Sequence, residues 1–204
     1  MMNDPREVMI DMEICHVDTI VGIHLAAFPG FFLSFLGRRF LRELYKAFAT
    51  DKTSISLVAE APVSGELMGF AAGTLDPARF FRSLLVRRWW AFGFSSLPAI
   101  VRNPRSALRI FRGVSYRGNQ PEGRKRALLS SIAVIPGQRD HGLGNDLLKR
   151  WVERARAKGA EGCYLTTDAE NNDAVNRFYA RNGWRVESEF ITPEGRKMYR
   201  YTLD

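Results

Sequence analysis

The spacing of apolar residues in the first 75 positions predicts a short strand, two amphipathic helices and a β-hairpin. After Pro29-Gly30, apolar residues recur at helical spacing, which is typical of a helix with one buried face. Two later β-rich runs flank a Pro-Val-Ser-Gly turn, the pattern of a hairpin. The predicted elements are a strand at 8–12, helices at 17–28 and 31–48, and strands at 54–60 and 66–75.

The C-terminal half also carries strand and helix patterns. Gly159 and the Asn182-Gly183 pair follow two amphipathic stretches, as expected of glycine at a helix C-terminus. The predicted elements are a strand at 127–135, a helix at 142–158, a strand at 162–167, a helix at 172–181, and strands at 185–191 and 196–202. This order predicts an α/β fold whose central sheet is mixed rather than purely parallel and is flanked by helices.

Between the two halves lies a basic, aromatic-rich segment, residues 77–122, which we interpret as a helical insertion. Its helical pattern is interrupted at Gly93, Pro98 and Pro104, which predicts two or three short helices. Residues 77–126 hold twelve Lys and Arg against one acid, a net charge of +11 in a chain whose total is +8. This favours an anionic partner such as a nucleotide, a nucleic acid or a membrane surface, although arginine-rich solvated helices also occur without one.

Two tryptophans, Trp89 and Trp90, follow Arg87 and Arg88 in this segment. Such a cluster suits a membrane anchor, a base-stacking surface, an interface between two copies or a lid over a binding site. The sequence is thus compatible with a homodimer.

Length and composition predict one globular domain over residues 1–204, with the insertion inside it. The chain has no apolar run long enough to span a membrane, and its N-terminus lacks the apolar core of a signal peptide, so a cytoplasmic protein is expected. Cys15 and Cys163 are too few for a disulfide framework, and the three histidines do not cluster with them. We therefore expect no metal site.

The most informative stretch is residues 132–144, which read Ile-Ala-Val-Ile-Pro-Gly-Gln-Arg-Asp-His-Gly-Leu-Gly. An apolar strand leads through a turn into a loop that opens a helix. Glycines at 142 and 144 allow close approach of the backbone to a ligand, and the free N–H groups of the first helical turn attract an anion. This pattern predicts a pyrophosphate site.

A second group of polar residues lies in the penultimate helix. Asn172 can cap this helix, Asn176 lies on the same face, and Tyr179 lies about two turns beyond Asn172. A phenol stays protonated at neutral pH, so Tyr179 is a candidate proton donor to a leaving group.

These two motifs, about forty residues apart, resemble the GNAT superfamily of acyl-CoA-dependent N-acyltransferases; the resemblance covers 128–184 and includes Phe178-Tyr179 followed by Gly183-Trp184. It implies a GNAT-like fold, with a mixed, largely antiparallel central sheet flanked by helices. It also implies an N-acetyltransferase that moves an acetyl group from acetyl-CoA directly to a primary amine. The loop 139–144 would bind the CoA pyrophosphate, the strand 132–134 would pair with the pantetheine arm, and Tyr179 would protonate the departing thiolate. The cofactor positions that the resemblance implies are Ile132, Ala133, Val134, Arg139, Asp140, His141, Gly142, Leu143, Gly144, Asn172 and Tyr179.

The chain departs from the family at the general base. Some members carry a glutamate on the strand before the loop, where this chain has Leu-Leu-Ser-Ser at 128–131. Glu66 or Asp168 are alternatives, or the amine arrives neutral. The acceptor also stays open between an amino sugar, a small amine and a protein amine, with Phe28, Phe31 and Phe32 as candidates for its wall. The competing hypothesis is a non-catalytic acyl-CoA- or nucleic-acid-binding module on the same fold.

Overall fold

In a computed structural model of the protein, the described residues are 7–29, 31–84, 86, 125–137, 142–192 and 195–204. Within them, seven strands form a single sheet in the order β1-β2-β3-β4-β5-β7-β6. The strands are β1 (Val8–Asp11), β2 (Ser54–Glu60), β3 (Leu67–Thr74), β4 (Arg126–Val134), β5 (Gly162–Asp168), β6 (Arg185–Ile191) and β7 (Lys197–Leu203).

Neighbouring strands of this sheet are antiparallel except for β4 and β5, which are parallel. The mixed, largely antiparallel sheet that the sequence predicts is therefore confirmed. The single parallel pair needs a crossover connection, which is the helix after β4.

Helices cover both faces of the sheet. They are α1 (Val17–Ala27), α2 (Phe32–Phe35), α3 (Arg38–Thr50), α4 (Leu143–Ala157) and α5 (Asp173–Arg181), with a 3₁₀ turn at Ile14–His16. Alternate residues of β2 enter two separate cores, because successive strand side chains point to opposite faces. Val58 packs with α1 and α3, whereas Leu57 packs with α4.

The predicted single helix over 31–48 is wrong, because the structure divides it into α2 and α3. The chain breaks at Gly37, whose φ of 88° lies in the left-handed region that favours glycine. The Ser34 hydroxyl donates to the Phe28 carbonyl at 2.6 Å, which ties α2 back to the end of α1. The apolar spacing continues across the break, since Leu36 and Phe40 are both buried.

The predicted insertion, 77–122, lies mostly outside the described residues. Its first part, 77–84, is helical, and Phe80 there stacks on Phe48 with ring centroids 4.4 Å apart. Across the described ranges, no helix combines the length and apolar character needed to cross a membrane.

Candidate functional site

The sheet opens into a cleft between β4 and β5. These two strands pair only from Arg126↔Gly162 to Leu128↔Tyr164. Directly after this point β4 bulges, because Ala72 and Gly73 of β3 face Ser131 and Leu129 and leave Ser130 as the extra residue. A bulge bends the strand and increases its twist, so β4 turns away from β5. The cleft is therefore built into the strand register.

The β4 backbone presents hydrogen-bonding groups to this cleft. The Ile135 N–H donates to the Met68 carbonyl of β3 at 2.9 Å. Backbone N–H groups alternate between the two edges of an antiparallel strand, so those of Ile132 and Val134 point to the opposite edge, into the opening. The Ala133 N–H points to β3 instead. Of the three predicted strand positions, two thus offer backbone donors to a ligand.

Helix α4 begins at the end of the cleft where β4 ends. Gly142 precedes its first residue with φ of 83°, a conformation that favours glycine. The Gly142 carbonyl accepts from the Asn145 N–H at 2.8 Å, whereas the N–H groups of Leu143 and Gly144 come before this first N–H that donates within the helix. A helix N-terminus of this kind favours an anion. The predicted loop residues Arg139, Asp140 and His141 lie outside the described residues.

Gly144 marks the place where α4, β4 and α5 meet. A Cβ atom on Gly144 would lie 3.6 Å from the Phe178 ring and 3.9 Å from the Val134 side chain. These are ordinary contacts, so the packing of the described residues does not require glycine here. The absent side chain leaves space beside the free N–H groups. Asn182 of the α5 end donates to the Asn145 side chain at 2.9 Å and fixes the two helices together.

Tyr179 lies on the buried face of α5, with 7% of its surface exposed. Its ring contacts those of Phe178, Trp184 and Tyr201 at centroid distances of 5.2, 6.0 and 5.6 Å. Burial, and to a lesser extent the neighbouring Tyr201, raises the pKa of Tyr179. The phenol therefore stays protonated at neutral pH and can only donate its proton there.

Asn172 stands at the N-cap position of α5 as predicted, but the predicted side-chain cap is wrong, because its side chain makes no capping hydrogen bond. Its amide nitrogen donates instead to the Thr167 hydroxyl at 2.8 Å and to the Asp168 carbonyl at 3.1 Å. Asn176 donates to the same carbonyl at 3.2 Å. The two asparagines anchor α5 to the end of β5.

The two candidate bases are not poised for proton transfer. Asp168 is paired with Arg196 through contacts of 3.0 and 2.5 Å, and Arg196 also lies 5.8 Å from the centre of the Phe31 ring. The lone pairs of the Asp168 carboxylate are thus directed at the Arg196 guanidinium. Glu66 lies exposed in the β2–β3 turn.

A buried polar pair next to the cleft escapes the sequence patterns. His24 of α1 and Tyr45 of α3 are hydrogen-bonded, with 2.7 Å between Nδ1 and the phenol oxygen. Burial lowers the pKa of His24 to about 4 and raises that of Tyr45. Both residues occupy apolar positions of their helices, so helical periodicity assigns them to the core. The sequence signals the pair only by a histidine and a tyrosine on the apolar faces of the two predicted N-terminal helices.

Cys163 is buried in β5, where desolvation raises the pKa of its thiol to about 12. This fits a packing role rather than a nucleophile. Across the described segments, no group of three or more His, Cys, Asp or Glu side chains is arranged to hold a metal ion.

Comparison with known proteins identifies the family to which this fold belongs. The family model of the acetyltransferase (GNAT) family matches residues 20–184. The Arabidopsis thaliana protein "Probable N-acetyltransferase HLS1" is 38% identical over 69 residues, which span 34% of this chain and 16% of that relative.

Solved structures share the fold at low sequence identity. The ribosomal-protein-S18-alanine N-acetyltransferase of Escherichia coli superposes with a TM-score of 0.59 at 14% identity, covering 97% of this chain and 92% of that one. A chain of the NatC complex, bound to Gag peptide and CoA, gives 0.55 at 14% identity, with 97% and 98% covered. Together with the family model, the split sheet and its flanking helices lead to one conclusion: the chain belongs to the GNAT family of acetyltransferases.

Proposed function

We propose that this protein is an N-acetyltransferase that moves an acetyl group from acetyl-CoA to the primary amine of an acceptor. The observation that carries the proposal is the cleft between β4 and β5, where outward N–H groups, the start of α4 and the buried face of α5 converge. The CoA in the structurally similar NatC chain supports the choice of donor.

In this proposal the donor binds along the cleft by its backbone groups. The N–H groups of Leu143 and Gly144, with those of the loop 139–142, hold the pyrophosphate through the partial positive charge of the helix N-terminus. The edge of β4 at Ile132 and Val134 pairs with the pantetheine amides, as an added strand would. Asn172 borders the far side of the cleft.

The chemistry is a direct transfer without a covalent enzyme intermediate. The amine lone pair attacks the thioester carbonyl carbon, the carbon–sulfur bond breaks, and the CoA sulfur leaves with the bond electrons. Tyr179 donates its proton to that sulfur, and the proton lost by the amine restores the phenol through solvent. Alignment of the two substrates lowers the barrier most, and a β4 N–H near Val134 polarises the carbonyl.

The acceptor would enter from the side of the α1–α2 connection. Phe28 and Phe31 pack there with ring centroids 5.2 Å apart, and Phe31 is 40% exposed. We propose these rings as part of the acceptor wall; the Phe32 side chain lies outside the described residues. An amino sugar, a small amine and a protein amine all fit the proposal, and the acceptor screen below separates them.

The basic insertion, residues 77–122, is part of the same proposal as a surface for an anionic partner. Its charge predicts binding that weakens as salt concentration rises. Binding to nucleotide, nucleic acid and anionic vesicles that does not respond to salt would contradict this role.

We also propose a cytoplasmic location, which the free thiols of Cys15 and Cys163 support.

A non-catalytic acyl-CoA- or nucleic-acid-binding module is the second candidate. Two observations favour it: β4 carries no carboxylate, and Asp168 is paired with Arg196. Such a module would bind CoA in the same cleft and would turn over no acceptor.

Release of free thiol from acetyl-CoA across a panel of amines separates the two functions. An enzyme releases thiol with at least one amine, and Tyr179→Phe lowers kcat by about 100-fold or more while CoA still binds. Tyr199→Phe, a change on β7 beside the same aromatic cluster, is the matched control and should retain wild-type turnover. CoA binding without thiol release for any amine would favour the module.

A further inference from the structure

Three buried polar side chains connect the N-terminal helices with the cleft strand. His24 of α1 bonds to the Tyr45 phenol of α3, with 2.7 Å between Nδ1 and the phenol oxygen. The Ser131 side chain of β4 lies beside that phenol, where it partly offsets the rise that burial causes in the pKa of Tyr45. His24 is 2% exposed and Tyr45 is fully buried. We call these residues the His24–Tyr45–Ser131 network.

The network ends at the point that shapes the cleft. Ser131 directly follows the extra residue of the β4 bulge, Ser130, and directly precedes Ile132. Holding the Ser131 side chain fixes the twist of the bulge, and the bulge sets the direction of the N–H groups at Ile132 and Val134. The network therefore reaches β4 directly beside the residues whose N–H groups face the cleft.

Stability alone does not account for these polar groups. Their neighbours are apolar: the Phe28 ring lies 4.9 Å from His24, and the Phe70 ring lies 5.1 Å from Tyr45. The Nε2 atom of His24 is buried, and no group among the described residues forms a hydrogen bond with it. An unpaired buried polar atom is costly, and an apolar side chain of the same size would avoid that cost.

The charge state of His24 separates two roles for the network. Because burial lowers its pKa to about 4, the ring is neutral at pH 7 and has little tendency to take up a proton. A relay that ends on this ring would be a poor base. A neutral chain of polar groups that only fixes the positions of its residues does not require the His24 ring to take up a proton.

We propose that His24 and Tyr45 are positioning residues for acyl transfer, which act through Ser131 to hold the β4 bulge and so align the thioester with the acceptor. This inference rests on the proposed function. Because α1 leads directly into the α1–α2 connection, the network also joins the acceptor side of the site to the donor strand.

Four variants test the network. Tyr45→Phe removes the central hydroxyl and keeps the ring. His24→Leu removes the imidazole, whereas His24→Asn places an amide near the position of Nδ1 and can keep the bond to Tyr45. Ser54→Ala removes another buried strand hydroxyl, one without a hydrogen-bond partner in the described part of the chain, and serves as the control.

We expect kcat to fall about tenfold or more in Tyr45→Phe and His24→Leu, with the KM for acetyl-CoA changed by less than about threefold. His24→Asn should keep kcat within about threefold of wild type, and Ser54→Ala should match wild type. Amide hydrogen exchange across 129–135 should be faster in Tyr45→Phe, because the bulge is released.

Unchanged kcat and exchange in a folded Tyr45→Phe would overturn the proposal. So would a His24→Asn variant that loses as much activity as His24→Leu, because the hydrogen bond would then be irrelevant. Absence of wild-type turnover with every amine defeats the proposed function, whereas wild-type turnover that Tyr45→Phe leaves intact defeats the positioning role alone. The exchange measurement needs no turnover and tests the network in either case.

Discussion

Acidification should destabilise this protein through His24. The imidazole is buried against Phe28 and Tyr45, and its pKa is lowered from 6.5 to about 4. The unfolded chain therefore binds a proton that the folded protein does not bind between these two values. Stability is full above pH 6.5, falls as the pH drops below it, and stops falling from this cause below about pH 4.

The size of this effect follows from the difference between the two pKa values. Each pH unit corresponds to about 1.4 kcal/mol, so His24 alone removes roughly 3 kcal/mol from the free energy of unfolding between pH 6.5 and 4. This is a large part of the 5–15 kcal/mol that is typical of a folded domain, to order of magnitude. Because the imidazole is buried, solvent screening reduces the effect little.

Urea unfolding at intervals from pH 7 to pH 4 measures this contribution. Carboxylates also titrate in this range, so the informative quantity is the difference between wild type and His24→Asn, which lacks the titrating ring. We expect the variant to lose less stability on acidification, with a gap that approaches about 3 kcal/mol at pH 4. Ser54→Ala, which removes no titrating group, controls for a change in stability as such. Parallel curves for wild type and His24→Asn would refute the burial argument.

Three glycines give further predictions. Gly73→Ala should destabilise by about 3 kcal/mol or more, because its Cβ would meet the Leu128 carbonyl and the Trp151 ring; thermal unfolding checks it, and a wild-type Tm would contradict the packing. In the same assay Gly22→Ala should stabilise by up to about 1 kcal/mol, since it is inside α1 and no described residue comes within 4 Å of its Cβ position. Gly144→Val should raise the KM for acetyl-CoA about tenfold, because its side chain adds bulk against Phe178 and Val134 beside the N–H groups proposed to hold the donor. Unchanged KM would place the donor elsewhere.

Helix ends and strand order follow closely from the sequence where a single residue decides the backbone. Gly159 and Gly183 adopt left-handed conformations just beyond α4 and α5, as their positions in the sequence predict. The hairpin of β2 and β3 and the strand before α4 are likewise where apolar runs and turn residues predict them. The mixed sheet follows from that order.

Other features depend on contacts that a local pattern does not contain. The break at Gly37 is hidden because apolar spacing continues from α2 into α3. The bulge at Ser130 is hidden because a bulge depends on the register with β3, and the run Leu-Leu-Ser-Ser gives no sign of it. The link between His24 and Tyr45 joins residues 21 positions apart, and each of them alone fits an apolar helix face.

The candidate site divides in the same way. Sequence motifs identify the start of α4 at Gly142 and point to Tyr179. They do not show the opening between β4 and β5, because this opening arises where the two strands stop pairing after Leu128. The sequence indicates Asp168 as a candidate base. Its pairing with Arg196, 28 residues later, is visible only in the folded chain.

Amide hydrogen exchange with and without CoA tests the central claim most directly, namely that the cleft between β4 and β5 holds the donor. The account predicts that CoA slows exchange at Ile132, Val134, Leu143 and Gly144, while amides that already pair with β3, such as that of Ile135 just beyond β4, change little. Protection confined to the basic insertion, or no protection at these four amides at saturating CoA, would contradict it.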